Sequence, residues 1–194
     1  MKTSFGEYCY PLPLDADRAH VDWVELGRRI ANRAPVIPQN ELKIEGVFLT
    51  CASPESHTGP FVSAIDFLVP DGTEILAAAD GMVHAIEDSH SAWGPTKASA
   101  GSLNYVTLRH NHAGRVEYSQ YCHLAQGSSK KLGLRIGSFV KTGQPIGLVG
   151  KTGWTDRDHL HFMVFRSVAG TPGFQSLSVK FKNFELAGKE AYYS

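Results

Sequence analysis

Little in this 194-residue sequence points to a membrane protein, a nucleic-acid-binding protein or a disulfide-stabilised miniprotein. Nineteen Lys and Arg balance nineteen Asp and Glu, so the chain has no net charge and no bulk field to attract nucleic acid. No run approaches the roughly 18 apolar residues that span a bilayer, and the N-terminal residues lack the apolar stretch of a signal peptide. Three cysteines are too few for a disulfide framework. We therefore expect a globular domain with no nucleic-acid partner and no membrane span.

The cysteines leave the redox compartment open. An odd number of cysteines cannot pair completely within one chain. Cys9 and Cys51 can pair in an oxidising compartment, but three free thiols fit the sequence equally well. Cys122 is adjacent to His123, but neighbours in a strand point to opposite faces, so the two do not form a protease dyad.

The residues that are present are those of a β-rich domain. Hydrophobic residues make up 42% of the chain, and 19 Gly and 10 Pro indicate many turns. Residues 13–33 carry a helical pattern, with Asp15 or Asp17 as its cap. Later segments have strand composition, among them 61–69 and 159–165. We predict a mainly β fold of antiparallel sheets with an N-terminal helix.

Nine histidines are the most unusual feature of the composition. In the segment HLHFMVF, His159 and His161 point to one face and Leu160 to the other, because side chains alternate along a strand. Two imidazoles about 7 Å apart suit one metal ligand and one neighbouring acid/base group. Solvent-exposed histidines on a sheet face would show the same spacing.

Three further residues extend this candidate site. His123 lies in the strand-like segment EYSQYCHL, where we expect it to share a face with Tyr121. Asp66 lies inside the apolar segment SAIDF, so it is either a hydrogen-bonded structural carboxylate or a ligand. His57 lies on a loop shortly before this strand and can swing over the same site. Three nitrogen or oxygen ligands plus water form the usual catalytic zinc site.

The order of these residues along the chain resembles a known peptidase family. From Asp66 the sequence continues through PDGTEILAAADGMV, His110, YCHL and GSFVKTGQPIGLVGKTG to HLHF, and this order resembles the lysostaphin-type (LytM-type) zinc metallopeptidases. The resemblance runs from about residue 57 to residue 166, over half of the chain. It implies the antiparallel sheets of the duplicated hybrid motif. It also implies hydrolysis of peptide cross-links in bacterial peptidoglycan.

The resemblance implies a role for each of four residues. Asp66 and His161 are expected to bind Zn²⁺. His123 and His159 are expected to flank the zinc-bound water, where they act as acid/base groups or stabilise the oxyanion.

One position departs from the family pattern. The family has a histidine four residues before the metal-binding aspartate, and Val62 stands there in this chain. His57, nine residues before Asp66, is the nearest replacement and is our third predicted metal ligand. The alternatives are a site that fails to hold zinc, or a substitute from among His84, His90, His110 and His112.

The function expected from the resemblance is that of a zinc-dependent metalloendopeptidase that acts on peptidoglycan peptides. We expect a monomer located outside the cell or in the periplasm. Residues 1–42 are predicted to form a helical extension packed on the core, and residues 43–194 the peptidase domain with a C-terminal strand and tail.

Two other functions stay open on the sequence. The departure at Val62 favours a non-catalytic lysostaphin-type domain that binds cell wall or regulates a partner hydrolase. Segments such as GTEILAAADGMV also resemble half-motifs of biotinyl or lipoyl carrier modules. The chain has no lysine at a suitable hairpin tip between two such halves, which argues against a carrier.

Overall fold

The computed structural model describes residues 2–14, 22–33, 37 and 41–182. Within them lie two α-helices, α1 (Trp23–Arg33) and α2 (Ser128–Lys131). The strands are β1 (Tyr8–Cys9), β2 (Lys43–Glu45), β3 (Phe48–Cys51), β4 (Ile65–Phe67), β5 (Glu74–Leu76), β6 (Gly81–Glu87), β7 (Trp93–Gly94), β8 (Tyr105–His112), β9 (Arg115–Cys122), β10 (Phe139–Val140), β11 (Pro145–Leu148), β12 (Gly153–Trp154), β13 (Leu160–Ser167), β14 (Phe174–Leu177) and β15 (Phe181–Lys182). The predicted mainly β fold is confirmed.

One antiparallel sheet of nine strands organises the molecule. Its order is β10-β6-β8-β9-β13-β4-β3-β2, and β14 also pairs with β13. Three two-stranded sheets accompany it: the parallel pairs β1–β15 and β7–β12, and the antiparallel pair β5–β11. None of the helices in the described part of the chain is long and apolar enough to span a membrane.

The longest hairpin in the sheet joins β8 to β9. His112 pairs with Arg115, so Ala113 and Gly114 form a two-residue turn, with φ angles of 52° and 86°. Positive φ at both positions is the geometry of the hairpin turn that matches the natural strand twist. The Asn111 side chain accepts a hydrogen bond from the Gly114 N–H at 2.8 Å, which secures the turn.

The strand β13 divides its residues between two faces. Leu160, Phe162 and Val164 are fully buried in the hydrophobic core, and the alternate positions face the other side of the sheet. Burial of a side chain such as that of Phe162 contributes about 2–3 kcal/mol. The core thus fixes which face carries His161.

The helix α1 is shorter than the predicted span of 13–33. It begins after Asp22, whose side chain accepts a hydrogen bond from the Glu25 N–H at 2.9 Å. The predicted caps Asp15 and Asp17 lie outside the described residues. Gly27 faces Leu49 so closely that a Cβ atom at this position would lie 2.8 Å from the Leu49 Cβ atom. A side chain at position 27 would therefore push α1 away from the sheet.

The chain before α1 also lies on the core. β1 pairs in parallel with β15, and Tyr8 is fully buried. The division of the chain at residues 42 and 43 stays a prediction, and the predicted C-terminal tail lies outside the described residues.

The predicted strand 61–69 is wrong in its first part. Residues Gly59–Phe61 form a 3₁₀ turn, and the strand begins only at Ile65. Gly59 has a φ of +55°, and Pro60 lies at the start of the turn, where its missing N–H costs no hydrogen bond. The strand that carries Asp66 is therefore only three residues long.

Candidate functional site

Asp66 is the central residue of a cluster at one end of the main sheet. It lies in the middle of β4, and its register partners are Cys51 on β3 and His161 on β13. Directly opposed residues of neighbouring strands project from the same face. Asp66 is only 6% exposed, so the partners of its carboxylate must come from the protein or from a bound cation.

The register places His161 beside this carboxylate. The Nδ1 atom of His161 lies 2.9 Å from Oδ1 of Asp66. The position follows from strand alternation, because Leu160 and Phe162 on either side are buried in the core. This part of the site was predictable from the pattern HLHF.

His57 reaches the same oxygen from a loop. Its Nε2 atom lies 3.1 Å from Oδ1 of Asp66, and its ring meets that of His161 edge to face at 5.0 Å. The His57 N–H donates to the Ser53 carbonyl at 2.8 Å, which closes a single helix-like turn. The Val62 side chain is 48% exposed and lies at the end of the following 3₁₀ turn. The structure thus brings His57 to Asp66 and leaves position 62 half exposed.

The donor atoms of these three residues fit a zinc ion. One ligand atom from each of His57, Asp66 and His161 lies within 4.8 Å of the others. Ligands bound at about 2.1 Å in a tetrahedral site lie roughly 3.4 Å apart, close to the observed 2.9 and 3.1 Å. Two imidazoles and one carboxylate are also the donor types of catalytic zinc sites. Three protein ligands leave a fourth position for water or substrate.

The electrostatics of the cluster favour an ionised carboxylate. Burial by itself raises the pKa of Asp66, but the charges of His159 and His57 and the hydrogen bonds of the neighbouring imidazoles bring that pKa well below its usual range. Burial also opposes the charged form of His57, yet the adjacent Asp66 raises the pKa of His57 above its ordinary value. The surroundings of Asp66 thus favour its anionic form.

His123 enters the site from the end of β9 by a change in backbone conformation. Its φ is +67°, a left-handed conformation that is uncommon for a residue other than glycine. Such a conformation costs about 1–3 kcal/mol and persists only where the surroundings enforce it. As a result, the predicted shared face of His123 and Tyr121 is wrong. Tyr121 is buried in the core, whereas the His123 ring lies 4.6 Å from that of His159.

Backbone carbonyls orient both of these imidazoles. Nδ1 of His123 lies 2.7 Å from the Thr152 carbonyl, and Nδ1 of His159 lies 3.0 Å from the Arg157 carbonyl. A carbonyl only accepts, so each Nδ1 carries the proton and each Nε2 keeps its lone pair. Nε2 of His159 lies 3.7 Å from the Asp66 carboxylate. Burial lowers the pKa of His123 to about 3 and also lowers the pKa of His159, which keeps both rings neutral near pH 7.

The remaining described histidines lie elsewhere. His84 is exposed against Tyr118, and His110 is buried in the core between the Asp80 carbonyl and the Ser119 hydroxyl. His112 contacts Tyr8. Apart from His159 and His161, His57 is the described histidine whose ring reaches Asp66. His90, the fourth alternative, lies in the loop after β6, where its main chain bonds to Asn104.

The thiols of Cys51 and Cys122 are buried and lie near polar side chains. Cys51 is a free, buried thiol whose Sγ atom lies 4.0 Å from Oδ2 of Asp66, so the Cys9–Cys51 pairing is not formed. Cys122 is also buried, and burial raises the pKa of its thiol. Its Sγ atom lies 3.6 Å from Oε1 of Gln120. Burial and a raised pKa therefore argue against Cys122 as a nucleophile, although its register partner is His161, so the alternation argument of the sequence does not apply.

Sequence reasoning missed the groups that hold the imidazoles. Thr155 places its hydroxyl 3.3 Å from Nδ1 of His159, and Thr152 supplies the carbonyl for His123. Both lie in turns that have no recognisable pattern. Asn104 is fully buried immediately before β8, and a polar amide at the entrance to an apolar strand is the one signal that was available.

The fold and the site define a β-sheet protein with a converging His-Asp-His group that could hold one metal ion. Residues 60–172 match the sequence model of "Peptidase family M23", more than half of the chain. The chain belongs to peptidase family M23. The resemblance to lysostaphin-type enzymes is thereby confirmed, and His57 lies just before the matched segment.

Several proteins are similar in sequence to part of this chain. It is 36% identical over 101 residues to an "Uncharacterized metalloprotease" of Buchnera aphidicola, across 52% of this chain and 22% of the relative. It is 34% identical over 107 residues to "Peptidoglycan DD-endopeptidase ShyA" of Vibrio cholerae, across 55% of this chain and 20% of the relative. The chain thus spans about a fifth of the length of these relatives.

Part of the chain also matches a solved structure. The "zinc containing peptidase from vibrio cholerae" is 28% identical, with a TM-score of 0.41, over 58% of this chain and 29% of that one.

Proposed function

We propose that this protein is a zinc-dependent metalloendopeptidase that hydrolyses peptide bonds in bacterial peptidoglycan cross-links. The observation that carries the proposal is the convergence of three donor atoms, from His57, Asp66 and His161, beside two further oriented imidazoles. Family membership and the names of the relatives, which include peptidoglycan endopeptidases, support it.

His57, Asp66 and His161 would hold the zinc ion. A zinc ion in such a site supplies Lewis acidity, because it polarises a carbonyl and acidifies water. The low pKa of Asp66 keeps its carboxylate available as a ligand over the whole neutral range. Its buried position also excludes competing bulk water from the carboxylate.

His123 and His159 would move the protons of the reaction. Each presents an unprotonated Nε2, because its Nδ1–H is held by a backbone carbonyl. One imidazole can take a proton from the attacking water and deliver it to the leaving amine, which contributes typically about 10²–10⁴-fold to the rate. After it takes a proton, the same imidazole becomes a cation that can stabilise the developing oxyanion.

The substrate class sets the expected location and assembly. Peptidoglycan peptides lie outside the cytoplasmic membrane, so we propose an extracellular or periplasmic protein. All five site residues come from one chain, so a monomer suffices for the proposed reaction.

The test combines metal analysis with product analysis. We expect about one zinc per chain by elemental mass spectrometry, and release of cross-linked muropeptides that stops with a chelator and returns with zinc. His161→Ala should lose both zinc and hydrolysis. His112→Ala is the matched control, because this histidine contacts Tyr8 rather than Asp66, and it should keep both.

Two results would contradict the proposal. Full hydrolysis by metal-free protein would exclude the zinc mechanism. Stoichiometric zinc without cleavage of any muropeptide would instead favour a non-catalytic domain that binds cell wall or regulates a partner hydrolase.

A further inference from the structure

Asn104 makes an unusually complete set of hydrogen bonds for one side chain. It is fully buried, immediately before β8. Its Oδ1 accepts from the His90 N–H at 3.0 Å, and its Nδ2 donates to the His90 carbonyl at 2.8 Å and to the Leu124 carbonyl at 3.1 Å. A flipped amide would face two carbonyls with its oxygen, so the orientation is fixed. The side chain joins the loop after β6, which contains His90, to the chain segment after β9.

The bonds to Leu124 bear directly on His123. The Asn104 side chain donates from Nδ2 to the Leu124 carbonyl at 3.1 Å, and the main-chain carbonyl of the same residue accepts from the Leu124 N–H at 3.3 Å. Leu124 follows His123, whose left-handed backbone turns the imidazole out of the strand and into the site. A left-handed histidine persists only where its surroundings enforce it. Asn104 supplies that enforcement on the C-terminal side of His123.

A second chain of bonds runs from Asn104 to the imidazole itself. The Asn104 N–H donates to the Thr152 hydroxyl at 3.1 Å, and this hydroxyl donates to the Leu124 carbonyl at 2.9 Å. The carbonyl of the same threonine accepts the Nδ1–H of His123 at 2.7 Å. The Asn104 side chain therefore donates to the same Leu124 carbonyl as the Thr152 hydroxyl, while the Asn104 main chain, which Asn104→Ala keeps, holds Thr152.

We propose that Asn104 is a positioning residue that keeps His123 in its left-handed conformation with the proton on Nδ1 and Nε2 free toward the site. The inference rests on the proposed function only in assigning a catalytic use to that free Nε2. The conformation and the tautomer are properties of the metal-free protein. They can be measured whether or not the protein is an enzyme.

The test compares Asn104→Ala with Ser129→Ala. Ser129 is also fully buried, and its hydroxyl donates to the Ile146 carbonyl at 2.7 Å, away from His123. The first measurement is the long-range ¹H–¹⁵N spectrum of the imidazoles in metal-free protein, with the His123 signals assigned from a His123→Gln variant. The second is kcat and KM for a cross-linked muropeptide with zinc-loaded protein, at a temperature where all variants are folded.

We expect the wild type and Ser129→Ala to show His123 as the single Nδ1–H tautomer. Asn104→Ala should show the other tautomer or a mixture. Its kcat should fall about 10–100-fold, as is typical for partners that orient a reacting group, with KM within about threefold and zinc content unchanged. If Asn104→Ala does not fold, Thr152→Val makes the decision, since it removes the hydroxyl bridge and should shift the tautomer in the same direction.

An unchanged Nδ1–H tautomer of His123 in folded Asn104→Ala would overturn the inference. A kcat of Asn104→Ala equal to that of Ser129→Ala would also overturn the inference. If the wild type cleaves no muropeptide, the proposed function fails, and the tautomer comparison still decides whether Asn104 positions His123.

Discussion

Two buried clusters of histidine and carboxylate lie on opposite faces of the same sheet. The first contains Asp66 with His57 and His161. The second contains Glu117, which pairs across β8 and β9 with His110. Glu117 is fully buried, and it precedes by five positions the residue that pairs with His161. Residues an odd number of positions apart in a strand face opposite sides.

The two clusters differ in where the hydrogen bonds of the carboxylate come from. Glu117 accepts from the N–H groups of Phe5 and Gly6 and from the Tyr8 hydroxyl, at 2.8 to 3.2 Å. Donors of the protein itself thus satisfy the Glu117 carboxylate, and the same hydrogen bonds hold the N-terminal segment in place. Asp66 instead meets imidazole nitrogens whose positions a metal ion would fit. Composition alone does not distinguish a structural cluster from a metal site; the identity of the donors does.

The largest expected effect is the difference between variants of the two carboxylates, Asp66 and Glu117. Asp66→Asn removes the anionic ligand, so we expect loss of zinc and a fall in hydrolysis of more than about 10³-fold. Glu117→Gln should keep zinc and activity but lose about 2 kcal/mol of unfolding free energy, because charge-assisted hydrogen bonds to the N-terminal segment weaken. Zinc analysis and urea unfolding of both variants measure this. Loss of zinc in Glu117→Gln would remove the distinction.

A smaller but still large effect should follow from the loop histidine. His57→Ala should weaken zinc binding at least about 100-fold, since even partners outside the ligand set are worth 10–100-fold. Adding Val62→His should not restore affinity, because this position is half exposed at the end of the 3₁₀ turn. Competition with a chelating dye measures the affinity. Recovery in the double variant would mean that the loop can adopt the usual family arrangement.

The free energy of unfolding should depend on pH through His110 of the second cluster. Burial lowers the pKa of His110 to about 4, below the unfolded value of about 6.5. As the pH falls, the unfolded chain therefore binds this proton at a higher pH than the folded chain does. The contribution of His110 to the free energy of unfolding is fully present above about pH 6.5 and is lost as the pH drops toward 4. The loss is about 3 kcal/mol for this group. His110→Gln should be less stable than wild type at pH 7 but lose less stability between pH 7 and pH 4.5 in urea titrations. Parallel losses in the two proteins would exclude His110 as a cause.

The smallest effect concerns the thiol beside the first cluster. Cys51 lies 4.0 Å from Oδ2 of Asp66, a long distance for a weak S–H donor. Cys51→Ser keeps a donor in place, so zinc affinity should change by less than about threefold. A larger change in the same dye competition would show that the thiol fixes the carboxylate more firmly than its distance indicates.

The sequence predicted the regular part of the site and missed the irregular part. Strand alternation correctly placed His161 opposite the core residue Leu160, since the sheet period holds through β13. The same rule failed at His123, because a left-handed residue ends the alternation and local composition does not reveal it. The approach of His57 depends on a turn that Gly59 and Pro60 direct, so its final distance to Asp66 follows from tertiary packing rather than from spacing.

The loop that carries His57 has a thermodynamic consequence. Sheet register fixes two of the three donor atoms, on β4 and β13, while the third arrives on residues 52–63 from the end of β3. A ligand that needs all three binds only the docked loop, so it stabilises docking by RT ln(1 + [L]/Kd). Bound zinc would then stabilise the docked conformation of the loop in addition to supplying Lewis acidity. Hydrogen exchange in residues 52–63 should slow with zinc concentration, while exchange in β8 and β9 stays unchanged.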